Sequence, residues 1–173
     1  MKLTLSHFKT PTGPMMLLLD EAQHVRLFEW VDHRSRMERL LARHYPKTSF
    51  TIVEDVAPAN YQAAIEAYFA GEIAALSALP ISFGGTSFQQ TVWKALLTIP
   101  AGKTLSYGQL ASQIGNPNAM RAVGLANGAN PIALIVPCHR VIGANGTLTG
   151  YGGGIERKQW LLRHEGSLPQ NLL

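Results

Sequence analysis

Apolar residues recur along this chain with two different periods, and the change of period marks its elements. Lys2–Phe8 alternates between apolar and polar, and Met15–Leu19 is continuously apolar. Thr10-Pro-Thr-Gly-Pro14 between them is turn chemistry, so a β-hairpin is predicted. Val25–Trp30 predicts a third strand and Phe50–Val53 a short fourth. Met37, Leu40 and Leu41 share a helical face, which predicts a helix capped by Asp32 and running through His44. Tyr61, Ile65, Tyr68 and Phe69 predict a second helix, stopped at Gly71. These elements make a small α/β unit whose aromatic residues read as core. No candidate chemistry lies in it.

Leu79-Pro-Ile-Ser-Phe-Gly-Gly-Thr86 is uncharged and rich in turn residues. It reads as a linker between a domain of residues 1–82 and a second of residues 83–173. The second half changes to helical spacing. Ser87-Phe-Gln-Gln90 reads as a capping box, followed by the apolar face Phe88, Val92, Trp93, Leu96 and Leu97. Ser106-Tyr-Gly-Gln109 is another, opening a helix over Tyr107–Ile114. Gly115-Asn-Pro117 is a turn, and Asn118 caps a helix from Ala119 to about Asn127. Two short helices across such a turn have helix-turn-helix spacing. Ile132–Val136 has the composition of a buried strand, ended by Pro137, which has no N–H to donate. Val141–Leu148 predicts a hairpin around Asn145-Gly146. Gly150–Gly154 is a glycine-rich loop, Ile155–His164 a last helix, and Ser167–Leu173 a frayed tail.

Charge divides the chain in the same place. Residues 1–84 carry eight Lys/Arg and nine Asp/Glu; residues 85–173 carry seven Lys/Arg and two Asp/Glu, with no Asp at all. A surface kept free of carboxylates fits a partner made of phosphates. The predicted helix over 119–127 adds to this. Ala119, Ala122, Gly124, Ala126 and Gly128 are small, and Arg121 is its only charge. That pattern fits close helix–helix packing, and it fits equally a helix pressed on DNA with one long cation projecting. No apolar run approaches the roughly 20 residues of a membrane span. The N-terminus lacks the apolar core of a secretory signal. A single cysteine permits no internal disulfide and no multi-cysteine zinc site. The six histidines show no metal-ligand spacing, so a cytoplasmic chain without a metal is expected.

That cysteine, Cys138, directly follows Pro137 and precedes His139 and Arg140. A cysteine attacks as the thiolate, and adjacent cationic groups favour that form. A lone cysteine is otherwise a small buried hydrophobe. In an extended segment His139 would point away from Cys138, so direct contact between them is not assured and a bridging water is a reasonable intermediate. A base histidine is usually oriented by a carboxylate, and the second half offers Glu156 and Glu165. Glu156 falls in the first turn of the last predicted helix, where a negative charge is favourable. Glu165 falls at its C-terminal end, where the dipole disfavours it, so it is singled out for another task.

Pro137-Cys138-His139-Arg140-Val141 resembles the acceptor motif of the O6-alkylguanine-DNA alkyltransferases, in their bacterial constitutive form. Ser106-Tyr-Gly-Gln-Leu110, Arg121-Ala-Val-Gly124, Asn130-Pro131, Gly150-Tyr151 and Trp160–Gly166 resemble that family in its order. Together they cover most of residues 86–166; the first half resembles it more loosely. The resemblance implies an α/β N-terminal domain and a mainly helical C-terminal domain with a winged-helix-like helix-turn-helix. It implies a relay of Glu165, His139, water and Cys138, with Asn130 as a hinge and Tyr107 near the departing base. It implies that the helix carrying Arg121, Ala119, Ala122, Gly124 and Ala126 enters the minor groove, about 6 Å wide in B-DNA, with Ser106 and Arg140 also at the DNA. Arg121 would fill the stack once the damaged base is flipped out. Val141, Tyr151 and Gly152 would line the base pocket. Many relatives have serine where this chain has Gly152, so a side-chain hydroxyl is missing there. The implied activity is stoichiometric transfer of an alkyl group from O6-alkylguanine, and O4-alkylthymine, in duplex DNA to Cys138. It needs no cofactor, and a monomer suffices.

Three rival readings have distinct signatures. A binding-only relative would lack the acceptor cysteine, which this chain has. A Cys-His-Glu hydrolase would turn over repeatedly. A helix-turn-helix regulator would show strong sequence preference.

Overall fold

The computed structural model describes residues 1–148 and 150–168, so part of the expected C-terminal tail lies outside the described residues. Two compact units emerge. One comprises Met1–Gly85 with Pro131–Ile135; the other comprises Thr86–Asn130 with Val136–Leu173. The short segment 131–135 therefore groups with the first half of the chain, although it lies far along the second.

The first unit holds a four-stranded sheet in the order β3-β2-β1-β4, built from β1 (Lys2–Phe8), β2 (Met15–Asp20), β3 (Val25–Trp30) and β4 (Thr51–Glu54). β1 and β2 form the expected hairpin, paired from Leu3 with Asp20 to Phe8 with Met15. Gly13, at φ 113°, makes the turn that a side chain would strain, and its N–H donates to the Thr10 carbonyl at 3.0 Å. Met15–Leu19 reads as a continuous apolar run because β2 is an inner strand buried on both faces. Helix α1 (Arg34–His44) packs Met37 and Leu41 against Leu3, Leu5, Met16, Leu18 and Leu27. Asp32 does not cap it. Val31–His33 forms a 3₁₀ turn, and His33 takes the N-cap place with no side-chain cap bond. Helix α2 (Ala59–Phe69) buries Tyr61, Ile65 and Tyr68, and Gly71 beyond it sits at φ 112°.

The second unit is mainly helical. α3 (Ser87–Leu96) buries Val92, Trp93 and Leu96, while Leu97 is exposed. Its capping box is Thr86 with Gln89, one residue earlier than predicted. Both registers satisfy the box spacing. The backbone decides, because Thr86 is extended and Ser87 is already helical. The second box, Ser106 with Gln109, opens α4 (Tyr107–Gln113) as expected. α5 (Met120–Gly128) starts after Ala119, so Asn118 lies outside the cap. The α4–turn–α5 unit is the predicted helix-turn-helix.

Two expectations about β-structure fail. Ile132–Val136 forms no strand: only Ile132 makes an isolated bridge, with Phe28, and residues 133–135 turn. Leu134 sits at φ 65°, a left-handed conformation costing about 1–3 kcal/mol. Apolar β-forming residues made this run look extended, but tertiary packing overrides propensity. Val141–Ile142, labelled β6, begins the second predicted hairpin. The Asn145-Gly146 turn is present, with the Gly143 N–H donating to Thr147 at 2.8 Å. Instead of pairing across that turn, β6 pairs in parallel with β5 (Leu105–Ser106). Leu105 opposes Val141, and this sets the start of α4 beside the segment that follows Cys138. α6 (Ile155–His164) closes the unit.

Candidate active site

Cys138 lies in a 3₁₀ turn, Cys138–Arg140, rather than at the end of a strand. Its N–H donates to the Val136 carbonyl at 2.8 Å, and the Arg140 N–H to Pro137 at 3.0 Å. The thiol-bearing residue is 6% exposed. This turn, not an extended chain, sets where successive side chains point, so the alternation expected for Cys138 and His139 does not apply.

His139 is fully buried, and its Nε2 lies 2.8 Å from Glu165 Oε1. Glu165 also faces Arg140, which donates from Nε to Oε1 at 2.7 Å and from Nη2 to Oε2 at 3.0 Å. The third guanidinium bond goes from Nη1 to the Ile99 carbonyl at 2.6 Å. Burial alone would raise the Glu165 pKa, but the hydrogen bonds from His139 and Arg140, with the charge of Arg140, hold it well below the usual carboxylate range. Glu165 is thus an ionised acceptor. His139 Nε2 must then carry the proton that bonds to it. Burial pushes the His139 pKa down, with Arg140 and Lys158 adding to the fall and Glu165 opposing it, so the ring is neutral at neutral pH. In a neutral imidazole with Nε2–H, Nδ1 is the free lone pair. Nδ1 is buried and has no hydrogen-bond partner among the described residues. The pairing of a charged carboxylate with a neutral ring leaves a base poised on the side away from Glu165.

Two groups that the sequence reading did not single out complete the surroundings. Lys158 on α6 is fully buried; its Nζ donates to the Val141 carbonyl at 2.6 Å and lies 6.0 Å from the Tyr151 ring centre. Burial lowers its pKa to about 8, and the charge of Cys138 works in the opposite direction. An ammonium and a thiolate thus favour one another here. The signal was available: Lys158 stands at the helical spacing of Ile155, Leu161 and Leu162, a cation on an apolar stripe. Asn127 is the other. It is 3% exposed, and its Nδ2 donates to the Cys138 carbonyl at 3.3 Å. An amide on the buried side of a helix of small residues is the corresponding clue.

Asn130, 2% exposed, donates from Nδ2 to the Val136 carbonyl at 2.9 Å. Asn127 and Asn130 together tie the end of α5 to the turn bearing Cys138. Tyr107 begins α4, and its ring underlies α5: a Cβ built on Gly124 would meet it at 3.8 Å. Its hydroxyl points toward Gly150, where a Cβ would lie 3.8 Å away. Val141 is buried, Tyr151 half-buried and Gly152 exposed.

On α5, Arg121 and Ala122 are exposed, and Ala119 at its N-cap and Gly124 are half-buried. Ala126 departs from its expected place on the DNA face. It is 3% exposed on the inner side, and its carbonyl accepts from Trp93 Nε1 at 2.8 Å. Arg140 departs likewise: its bonds to Glu165 and Ile99 occupy the guanidinium that was expected at the DNA. Ser106 accepts from the Gln109 N–H at 3.1 Å as the cap of α4. Among the described residues, no cluster of His, Cys, Asp or Glu could hold a metal ion, and no helix is long and apolar enough to cross a membrane.

Residues 87–167 match the family model for the DNA-binding domain of 6-O-methylguanine DNA methyltransferase. A methylated-DNA–protein-cysteine methyltransferase of Salmonella typhimurium is 53% identical over 159 residues, spanning 92% of this chain and 93% of that protein. One from Methanosarcina acetivorans is 46% identical, spanning 92% and 96%. Among solved structures, Mycobacterium tuberculosis OGT in complex with DNA superposes with a TM-score of 0.77 at 45% identity, covering 95% of this chain and 93% of that one.

Proposed function

The chain belongs to the methylated-DNA–protein-cysteine methyltransferases, and from that premise we propose how its residues divide the work of direct-reversal DNA repair. The substrate is duplex DNA containing O6-alkylguanine, with O4-alkylthymine as a second lesion, and the acceptor is Cys138. The buried line Glu165–His139, with its free Nδ1, is the observation that carries this reading.

His139 Nδ1 takes the thiol proton through a bridging water, giving thiolate and imidazolium. Glu165, held ionised by Arg140, stabilises the imidazolium that forms; Lys158 stabilises the thiolate. The thiolate then attacks the alkyl carbon in line. A C–S bond forms as the C–O bond to guanine breaks, and the departing purine takes up one proton, which balances the one the Cys138 thiol gave to His139. Tyr107, at the head of α4, serves that departing base, with Val141, Tyr151 and Gly152 lining the pocket. Asn127 and Asn130 act as positioning residues for the acceptor turn. The thioether product has no neighbouring group able to expel carbon from sulfur, so each molecule acts once.

The target base must leave the duplex stack to reach a residue as buried as Cys138. Arg121, exposed on α5 and with no hydrogen bond or ion pair among the described residues, fills the gap. The protein works as a monomer in the cytoplasm and needs no cofactor.

Intact-protein mass spectrometry after incubation with duplex DNA carrying O6-methylguanine tests this. One added CH₂ per molecule, mapped to Cys138, is expected. Continued turnover past one equivalent, or modification at another residue, overturns it.

A further inference from the structure

Leu125 is 72% exposed and Met120 55% exposed, and both stand on α5, the helix that carries Arg121. The inner face of α5 is accounted for by Val123, Ala126 and Asn127, all buried. At about 100° per residue, Arg121 and Leu125 are neighbours one turn apart on the opposite face. The ground around them is low. Ala122 is exposed, Gly124 is half-buried, and a Cβ built on Gly128 would meet nothing within 4 Å. Arg121 and Leu125 are therefore the two side chains that rise from this face, with Met120 at its edge.

A solvent-facing helix surface is ordinarily polar. Single exposed apolar residues are common and need no account by themselves. Here the outer face holds no polar side chain except Arg121, and its longest apolar side chain stands directly beside that cation. The unit bearing it has excess positive charge and few carboxylates, so its partner is a polyanion. In a duplex, a narrow groove walled by deoxyribose offers apolar surface between two rows of phosphates. Leucine is among the side chains that wedge into such grooves and loosen the stack at a base step.

We infer that Leu125 is a second minor-groove element, packing against sugar and base edges beside the gap that Arg121 fills. It supplies a part of the affinity for duplex DNA that does not depend on salt. Arg121 brings a positive charge into the duplex, displaces counterions and so contributes to the salt slope; Leu125 removes apolar surface from water and does not. This inference rests on the functional reading above, in which α5 meets DNA.

The test measures binding to a labelled duplex over a range of salt, and transfer from both O6-methylguanine duplex and free O6-benzylguanine. Alanine retains helix propensity at this exposed position, so Leu125→Ala should fold as wild type. Its affinity for duplex should fall about tenfold, from lost apolar burial, at every salt concentration and with the wild-type slope. Arg121→Ala should instead reduce that slope by about one. Leu125→Met, which keeps the apolar bulk, should restore binding. The free base should react with both Leu125 variants at the wild-type rate. Duplex affinity of Leu125→Ala within about twofold of wild type overturns the inference. So does an equal loss on the free base, which would make Leu125 structural. Failure of the wild-type protein to take an alkyl group from duplex DNA would instead overturn the functional reading, a result distinguishable from either.

Discussion

Arg140 grips Glu165 through two parallel bonds, Nε to Oε1 at 2.7 Å and Nη2 to Oε2 at 3.0 Å, inside a site where the carboxylate side chain is inaccessible to solvent. The same carboxylate faces His139. One buried anion thus serves two neighbours, and only the arginine supplies a full compensating charge. Arg140→Ala would leave that anion under-compensated, at a cost of about 3–5 kcal/mol. Chemical denaturation should show this loss, together with slower alkyl transfer. Arg140→Lys should recover part of the stability and little of the geometry, because an ammonium cannot make the two-pronged contact. Wild-type stability in Arg140→Ala would mean that the clamp contributes nothing.

Glu165→Gln should slow transfer far more than Glu156→Gln. Glu156 is an exposed residue in the first turn of α6. The amide at 165 would keep a hydrogen bond to His139 but lose the charge that stabilises imidazolium. Single-turnover rates of the two variants, measured side by side, decide it; equal rates remove Glu165 from proton transfer.

Lys158 carries a dated charge, since burial brings its pKa to about 8. As pH rises through about 8 the ammonium becomes neutral, and its support for the thiolate disappears. Transfer by wild type should therefore fall over that range. Lys158→Met fills the same buried space without a charge, so it should still fold, at a cost of about 1–3 kcal/mol from the Val141 carbonyl it leaves unpaired, and should be more than about tenfold slower, roughly the effect of 1.4 kcal/mol. Its rate should lack the decline near pH 8. A folded variant with wild-type rate would refute the role given to Lys158.

Acid should destabilise the protein in two steps. His44 is buried, and burial, then Arg36 and Arg43, lower its pKa to about 4 from an unfolded value near 6.5. A lowered folded pKa means that its contribution is complete above about 6.5 and is lost as pH falls toward 4. His139 is also lowered by burial and acts with the same sign. Glu165, which burial would raise but His139 and Arg140 hold low, adds a further loss as pH falls through and below the ordinary carboxylate range. Melting temperature should thus fall from pH 7 to pH 4, and His44→Gln should flatten the upper part of that fall. An unchanged profile would assign it to other groups.

Arg121→Ala should slow transfer from duplex DNA strongly while leaving reaction with free O6-benzylguanine nearly unchanged, because only the duplex requires a base to be flipped. Thermal stability measured on the same preparation guards against a folding defect. Parallel losses on both substrates would make Arg121 structural.

Much of this molecule was legible in the order of its residues, because local patterns report local forces. The Thr10–Pro14 turn, the apolar run of β2, the capping box at Ser106 and the helix over Ile155–His164 each depend on neighbours a few positions away. The pairing of His139 with Glu165 was legible too, since Glu165 stands against its helix dipole and the second half offers few carboxylates. Tertiary structure decided what depends on partners distant in sequence. Ile132–Val136 has strand composition, yet packing bends it through Leu134 at φ 65°. Val141 pairs with Leu105 instead of closing its own hairpin. Arg140 turns inward because a buried carboxylate 25 residues on requires a charge, and Lys158 is placed beside Val141 by the seating of α6. Burial and pairing across the chain set those outcomes, and neither is encoded in a window of a few residues.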